Sequence, residues 1–125
     1  MTLRSVFFGL LFAGLLAPAA APASELPTEN GATVIHLDQH NGYFAAENTL
    51  GGLEPGEYKF VVTNKAGKVV GFQVQHMTSH ETLTKFPLDP GETKSATVRI
   101  GEAGVRYRCP INPTPWYNLD NIQSG

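Results

Sequence analysis

The chain has 125 residues, nine Lys and Arg against eleven Asp and Glu, a formal charge of -2, and one cysteine. A mildly acidic balance without basic runs argues against nucleic acid or an anionic membrane surface as a partner. One cysteine cannot form a disulfide within the chain, so stability has to come from packing.

Arg4, the apolar run Val6 to Leu16 and the Ala- and Pro-rich stretch after it have the layout of a secretory signal peptide, residues 1–23. The run falls well short of the roughly 20 residues that span a bilayer. Ala21 and Ala23 offer a cleavage site before Ser24, so the expected product is periplasmic or secreted, with no membrane span. At on the order of 100 residues it has room for one domain with one core.

Residues 24–32 are polar and read as a flexible leader, with the domain spanning 33–125. Thr33 to Asp38 alternates Val34, His36 and Asp38 against Thr33, Ile35 and Leu37, a half-buried strand pattern. His40-Asn41-Gly42 reads as a turn, and Tyr43 to Glu47 fits either a short strand or an extended loop. Two related segments follow, Leu53-Glu54-Pro55-Gly56-Glu57 and Leu88-Asp89-Pro90-Gly91-Glu92. In each, Pro presets φ at the first central position and Gly supplies positive φ at the second, which predicts a type II turn launching a strand.

Tyr58, Phe60 and Val62 face one way in the next strand, and the apolar Val61 on its other side suggests a central position. After the turn at Asn64 to Lys68, Val70, Phe72, Val74 and His76 alternate with Gly71, Gln73 and Gln75. Thr78-Ser79-His80-Glu81 fits a capping box and predicts one short helix from Ser79 to Lys85, against the weak helix formers Thr82 and Thr84. Ala96, Val98 and Ile100 mark another strand, Gly101 to Gly104 a turn, and Val105, Tyr107 and Cys109 the inward face of the strand after it. Strands at short intervals with Pro and Gly turns between them predict an all-β Greek-key β-sandwich or barrel with at most one short helix.

The order of these features is itself informative: a strand ending in Asn64 at a Gly-containing turn, a strand around Phe72, a Leu-x-Pro-Gly-Glu turn, then Gly-x-x-Tyr-x-Cys and a proline-rich loop. Over nearly all of the mature chain it resembles the cupredoxins, and among them the EfeO-type cupredoxin-like domains of exported bacterial proteins. In that family a copper ion takes two imidazoles, a cysteine thiolate and usually a long axial methionine. Cys109 matches the thiolate position. The first imidazole belongs near Val70 or Gly71 and the second in the loop after the cysteine, where this chain has no His. The resemblance therefore implies a cupredoxin-like fold without a complete type 1 copper ligand set.

Cys109 reads first as a buried free thiol and second as a metal ligand. His76, Met77 and His80 form the other candidate metal group, for copper or another divalent ion, with Glu81 beside them. Asn112, Trp116 and Tyr117, on or beside the loop of Pro110, Pro113 and Pro115, are the candidate partner-binding residues, Trp116 and Tyr117 as aromatic anchors. No phosphate loop, nucleophile elbow, HExxH or Cys-x-x-Cys appears, so no enzyme class is indicated. The expectation is a binding module accessory to periplasmic copper or iron handling. The alternatives are a copper electron carrier with an atypical site at Cys109 and a structural sandwich that binds a protein partner.

Overall fold

The computed structural model describes residues 26–46, 50 and 52–120, and among them it contains strands and no helix. The expected signal peptide lies outside the described residues. The strands are β1 (Thr28–Glu29), β2 (Ala32–Gln39), β3 (Phe44–Ala46), β4 (Gly56–Asn64), β5 (Val70–His76), β6 (Thr82–Leu88), β7 (Thr93–Ile100), β8 (Val105–Arg108) and β9 (Tyr117–Leu119). They form two sheets. One has the order β1-β2-β4-β7 with β3 also on β2, and the other is four-stranded in the order β9-β8-β5-β6. No helix among the described residues is long and apolar enough to cross a membrane.

Pairing is antiparallel throughout except between β2 and β4, which run parallel from Thr33↔Tyr58 to Gln39↔Asn64. The alternation in the sequence becomes the two inner faces: Ile35, Leu37, Tyr58, Phe60, Val62, Val98 and Ile100 from one sheet, Val70, Phe72, Val74, Val105, Tyr107 and Cys109 from the other. Phe60 and Phe72 meet across the core with ring centres 5.5 Å apart, and Phe44 and Tyr107 pack edge to face at 5.2 Å. Burying each such side chain stabilises by about 1.5–3 kcal/mol. These aromatic contacts hold the two sheets together.

Two local expectations are corrected. The helix from Ser79 to Lys85 is absent, and β6 occupies most of that segment. The capping box fails because Thr78 Oγ1 lies 3.2 Å from His76 Nδ1, while the Glu81 N–H goes to Ser79 Oγ. His80 adopts positive φ and the β-branched Thr82 and Thr84 enter the sheet beside β5. At the first Leu-x-Pro-Gly-Glu segment Gly56 has no positive φ and opens β4 directly, with the Tyr58 hydroxyl donating to the Glu54 carbonyl at 2.5 Å. The second segment does turn at a positive-φ glycine, Gly91, and the Glu92 N–H donates to the Asp89 carbonyl. Both segments launch strands.

The described part of the expected leader, residues 26–32, carries β1. Leu26 is buried, Thr28 and Glu29 pair with Thr33 and Ala32, and Lys59 on β4 reaches Glu29 as an ion pair. Tyr43 to Glu47, open between strand and loop, contains β3 at Phe44–Ala46, and Glu47 is outside the described residues.

Gly104 shows why the turn before β8 needs glycine. Its φ is +85°, and a Cβ there would stand 2.2 Å from the carbonyl oxygen of Leu119, so any side chain would collide with the backbone after β9. This close approach seats β9 against β8 with Tyr117 opposite Tyr107. β9 in turn returns the proline loop to the sheet edge.

Candidate functional site

Three connections meet at one end of the sandwich: the β2–β3 turn, the β4–β5 turn and the Pro-rich loop from β8 to β9. Asn64 anchors the second. Its amide nitrogen donates to the carbonyls of Lys68 and Leu88 at 2.8 and 3.0 Å, and its side-chain oxygen accepts the Ala66 N–H at 2.8 Å. One buried side chain thus ties the turn before β5 to the end of β6. The turn residue read from the sequence is a structural hub.

Cys109 follows β8 at this end and is 0% exposed and free. Its Sγ accepts two backbone hydrogen bonds, from the N–H of Gly71 and the N–H of Asn112, each at 3.2 Å. The loop is fixed further by Thr114, whose hydroxyl accepts the Cys109 N–H at 3.2 Å and donates to the Pro115 carbonyl at 2.9 Å. Asn112 donates its side-chain N–H to Asn41 Oδ1 at 2.9 Å, joining the loop to the β2–β3 turn. Sulfur here organises a loop. Asn112 is half-buried and shares in both contacts.

A type 1 copper needs two imidazoles converging on the sulfur, and the surroundings of Cys109 do not fit it. Gly71, whose N–H points at the sulfur, carries no side chain, and a Cβ on it would already meet Ile111 Cδ1 at 3.1 Å and Pro110 Cδ at 3.2 Å. Ile111 occupies the direction a side chain would take. His40 lies in the β2–β3 turn at the same end, but its ring stacks on Tyr43 at 4.8 Å.

The other metal candidates lie far from Cys109. Gln73 is opposite Arg108 and His76 opposite Val105, so His76 is at the far end of β5 from Gly71, a separation of roughly 16 Å at strand rise. Cys109 and the group of His76, Met77 and His80 therefore do not share a site. His76 Nδ1 accepts the N–H groups of Thr78 and Ser79 at 3.2 and 3.3 Å, which places the ring proton on Nε2. Metal at Nε2 would move that proton to Nδ1, against two N–H donors. Among the described residues no three His, Cys, Asp or Glu side chains gather in a way that could hold a metal ion.

This end presents exposed apolar side chains to solvent alongside the polar Asn41, Lys65 and Lys68. Ile111 is 53% exposed and Tyr43 52%, and Val69 is exposed just before β5. Beside Ile111 a shallow, mostly apolar groove of about 360 Å³ is lined by Lys85, Phe86, Pro87, Pro110 and Ile111. Trp116 and Tyr117, read from the sequence as anchors on the same surface, part company. Tyr117 turns inward, stacking on Tyr107 with centres 5.1 Å apart and accepting the Phe44 N–H at its hydroxyl. Trp116 lies on the outer face of the four-stranded sheet, against Arg106 and Arg108.

Residues the sequence did not single out complete the picture. Gln39 is 0% exposed, and neither its Oε1 nor its Nε2 has a hydrogen-bond partner. Its place at the inward position after Ile35 and Leu37 was readable from the strand period, but a polar residue at a strand end gives no signal of burial. Comparison with protein-family models and with curated proteins finds no match to this chain.

Proposed function

We propose that this chain is an exported, cupredoxin-like Greek-key binding module whose Cys109 end engages a protein partner, in an accessory role to periplasmic copper or iron handling. The observation that carries the reading is the use made of the cysteine. Its sulfur is sealed from solvent and holds two backbone N–H groups, and Ile111 projects over Gly71 where the family places an imidazole. The same loop then exposes Ile111 beside an apolar groove, with Tyr43 on the neighbouring turn, and the Asn112–Asn41 hydrogen bond holds the two connections together. A surface already rigid loses little entropy on binding.

The family resemblance contributes the export and metal-handling parts, and the loop geometry favours docking over electron transfer. Two measurements test the reading. Copper titration of the mature protein should give no tight, Cys109-dependent binding, and an intense visible band lost in Cys109→Ser would overturn the proposal in favour of the electron carrier. A photo-crosslinking residue placed at Ile111 should capture a discrete partner in cells, while one at the exposed Glu102 in the β7–β8 turn should not. Equal crosslinking from both positions, or none from Ile111, would sink the docking role.

A further inference from the structure

The outer face of the four-stranded sheet carries a cross-strand row of polar and basic side chains. Gln73 on β5 is in register with Lys85 on β6 and with Arg108 on β8, and in the next row Gln75 is in register with Arg106. Trp116, just before β9, closes these rows at the sheet edge. The guanidinium of Arg106 lies 4.0 Å from the Trp116 ring centre and that of Arg108 4.4 Å. Gln75 Oε1 accepts from both Nε and Nη2 of Arg106, at 3.1 and 2.9 Å.

Three cations thus share one face, and none of them pairs with a carboxylate among the described residues. The ion pairs there are Lys59–Glu29, Lys94–Glu92 and Arg99–Glu57, none of them on this face. On a chain of net charge -2 this is a local excess of the opposite sign. A second observation marks the same place. Gln73 is 7% exposed with Oε1 unpartnered, and its register neighbour Arg108 has a buried Nε without an acceptor. The polar floor of the row is incompletely satisfied from within, which is unfavourable for buried polar atoms.

We infer that this face is a docking surface for a carboxylate-rich segment of a partner protein. Stacking on Trp116 occupies the flat sides of the guanidinium groups, Gln75 holds the Nε–Nη2 edge of Arg106 and the Nε of Arg108 is buried, so the Nη groups at the tips are what remains to take a carboxylate through paired hydrogen bonds. The bond from Gln75 and the aromatic contact fix Arg106 before any ligand arrives, so less side-chain entropy is lost on binding. Lys85, exposed on the neighbouring strand, adds a third positive point for a segment lying across the strands. The surface borders the Ile111 groove at Lys85, which lines both, but Arg106, Arg108 and Trp116 lie outside that groove, and the inference rests on them whether or not the groove docks a partner.

Trp116 is the chain's only tryptophan, so its fluorescence reports this face directly. A capped hexaglutamate peptide titrated into the mature protein at low ionic strength should change Trp116 emission saturably, and the effect should weaken at 0.15 M salt, where the Debye length is ~8 Å. Arg106→Gln and Arg108→Gln should each weaken binding about tenfold, and Lys85→Gln, at an exposed position tolerant of change, about threefold. The inference is overturned by no saturable change with hexaglutamate, by an equal response to hexalysine, or by unchanged affinity in all three variants. Inorganic phosphate matching the peptide in affinity would also overturn it, reducing the face to a simple anion site.

Discussion

The sulfur of Cys109 and the backbone nitrogen of Gly71 are 3.2 Å apart across β8 and β5, with the N–H donating to Sγ. Together with the Asn112 N–H this makes the side chain a buried acceptor as well as an apolar filler. Serine keeps an oxygen acceptor near that position, whereas alanine leaves both N–H groups without one. Cys109→Ala is therefore expected to lose about 2–4 kcal/mol of stability and Cys109→Ser less, measured by denaturant unfolding. A serine variant weaker than the alanine variant would mean that the site is purely apolar.

Gly71 is the second member of that relationship, and its lack of a side chain is set by Ile111 and Pro110. Gly71→Ala should cost about 1–3 kcal/mol through crowding against both. Ile111→Ala, at a half-exposed position, should cost less, and the double variant should recover part of the Gly71→Ala loss. Strict additivity in this cycle would contradict the close approach of Ile111 to Gly71.

Much of the architecture was legible because its cause is local. The period of two in Tyr58, Phe60 and Val62 and in Val70, Phe72 and Val74 reports a buried face without knowledge of the partner strand. Residues 79–85 misled because a capping box is also local, and nothing near it in sequence reveals that Thr82 and Thr84 are drawn into pairing with β5. At the site, the burial of Cys109 followed from its place after Val105 and Tyr107. That Gly71 and Asn112 donate to its sulfur, and that Trp116 and Tyr117 leave for opposite faces, depend on where β9 returns, which no short stretch encodes.

Burial pushes the Tyr107 hydroxyl above the usual tyrosine range, with the neighbouring Tyr117 adding to the shift, and burial likewise raises Tyr58. A raised tyrosine pKa means that the folded state holds the proton more firmly than the unfolded chain does. The associated stability is intact below the unfolded value of about 10 and is lost as pH rises through the folded one. The unfolding midpoint should therefore fall steadily above about pH 10, and less steeply in Tyr107→Phe. Identical alkaline slopes for the two proteins would dismiss Tyr107 as a contributor.

Gln39 buries an amide with no partner for either polar atom, between Ile35 and Leu37 on one side and the β2–β3 turn on the other. Replacing a buried unsatisfied polar group by an apolar one of similar shape is neutral or stabilising. Gln39→Leu should leave stability unchanged or raise it by about 1–2 kcal/mol in urea unfolding. A clear loss would indicate that an internal water completes the amide's hydrogen bonds.

The parallel ladder between β2 and β4 has a consequence for how the chain comes together. A parallel neighbour cannot be reached by a tight hairpin, so β2 waits until the intervening segment, including β3, has passed along its edge and β4 has entered beside it. Loop closure must precede the reward of pairing, and sandwiches governed by such distant contacts fold in roughly milliseconds to seconds. The antiparallel pairs β1–β2, β2–β3 and β5–β6 are local and can form early, while the parallel joining of β2 to β4 comes late. In the interval the edge of β2 that β4 will cover lies open beside Ile35 and Leu37, which exposes that stretch to self-association before the native state closes over it.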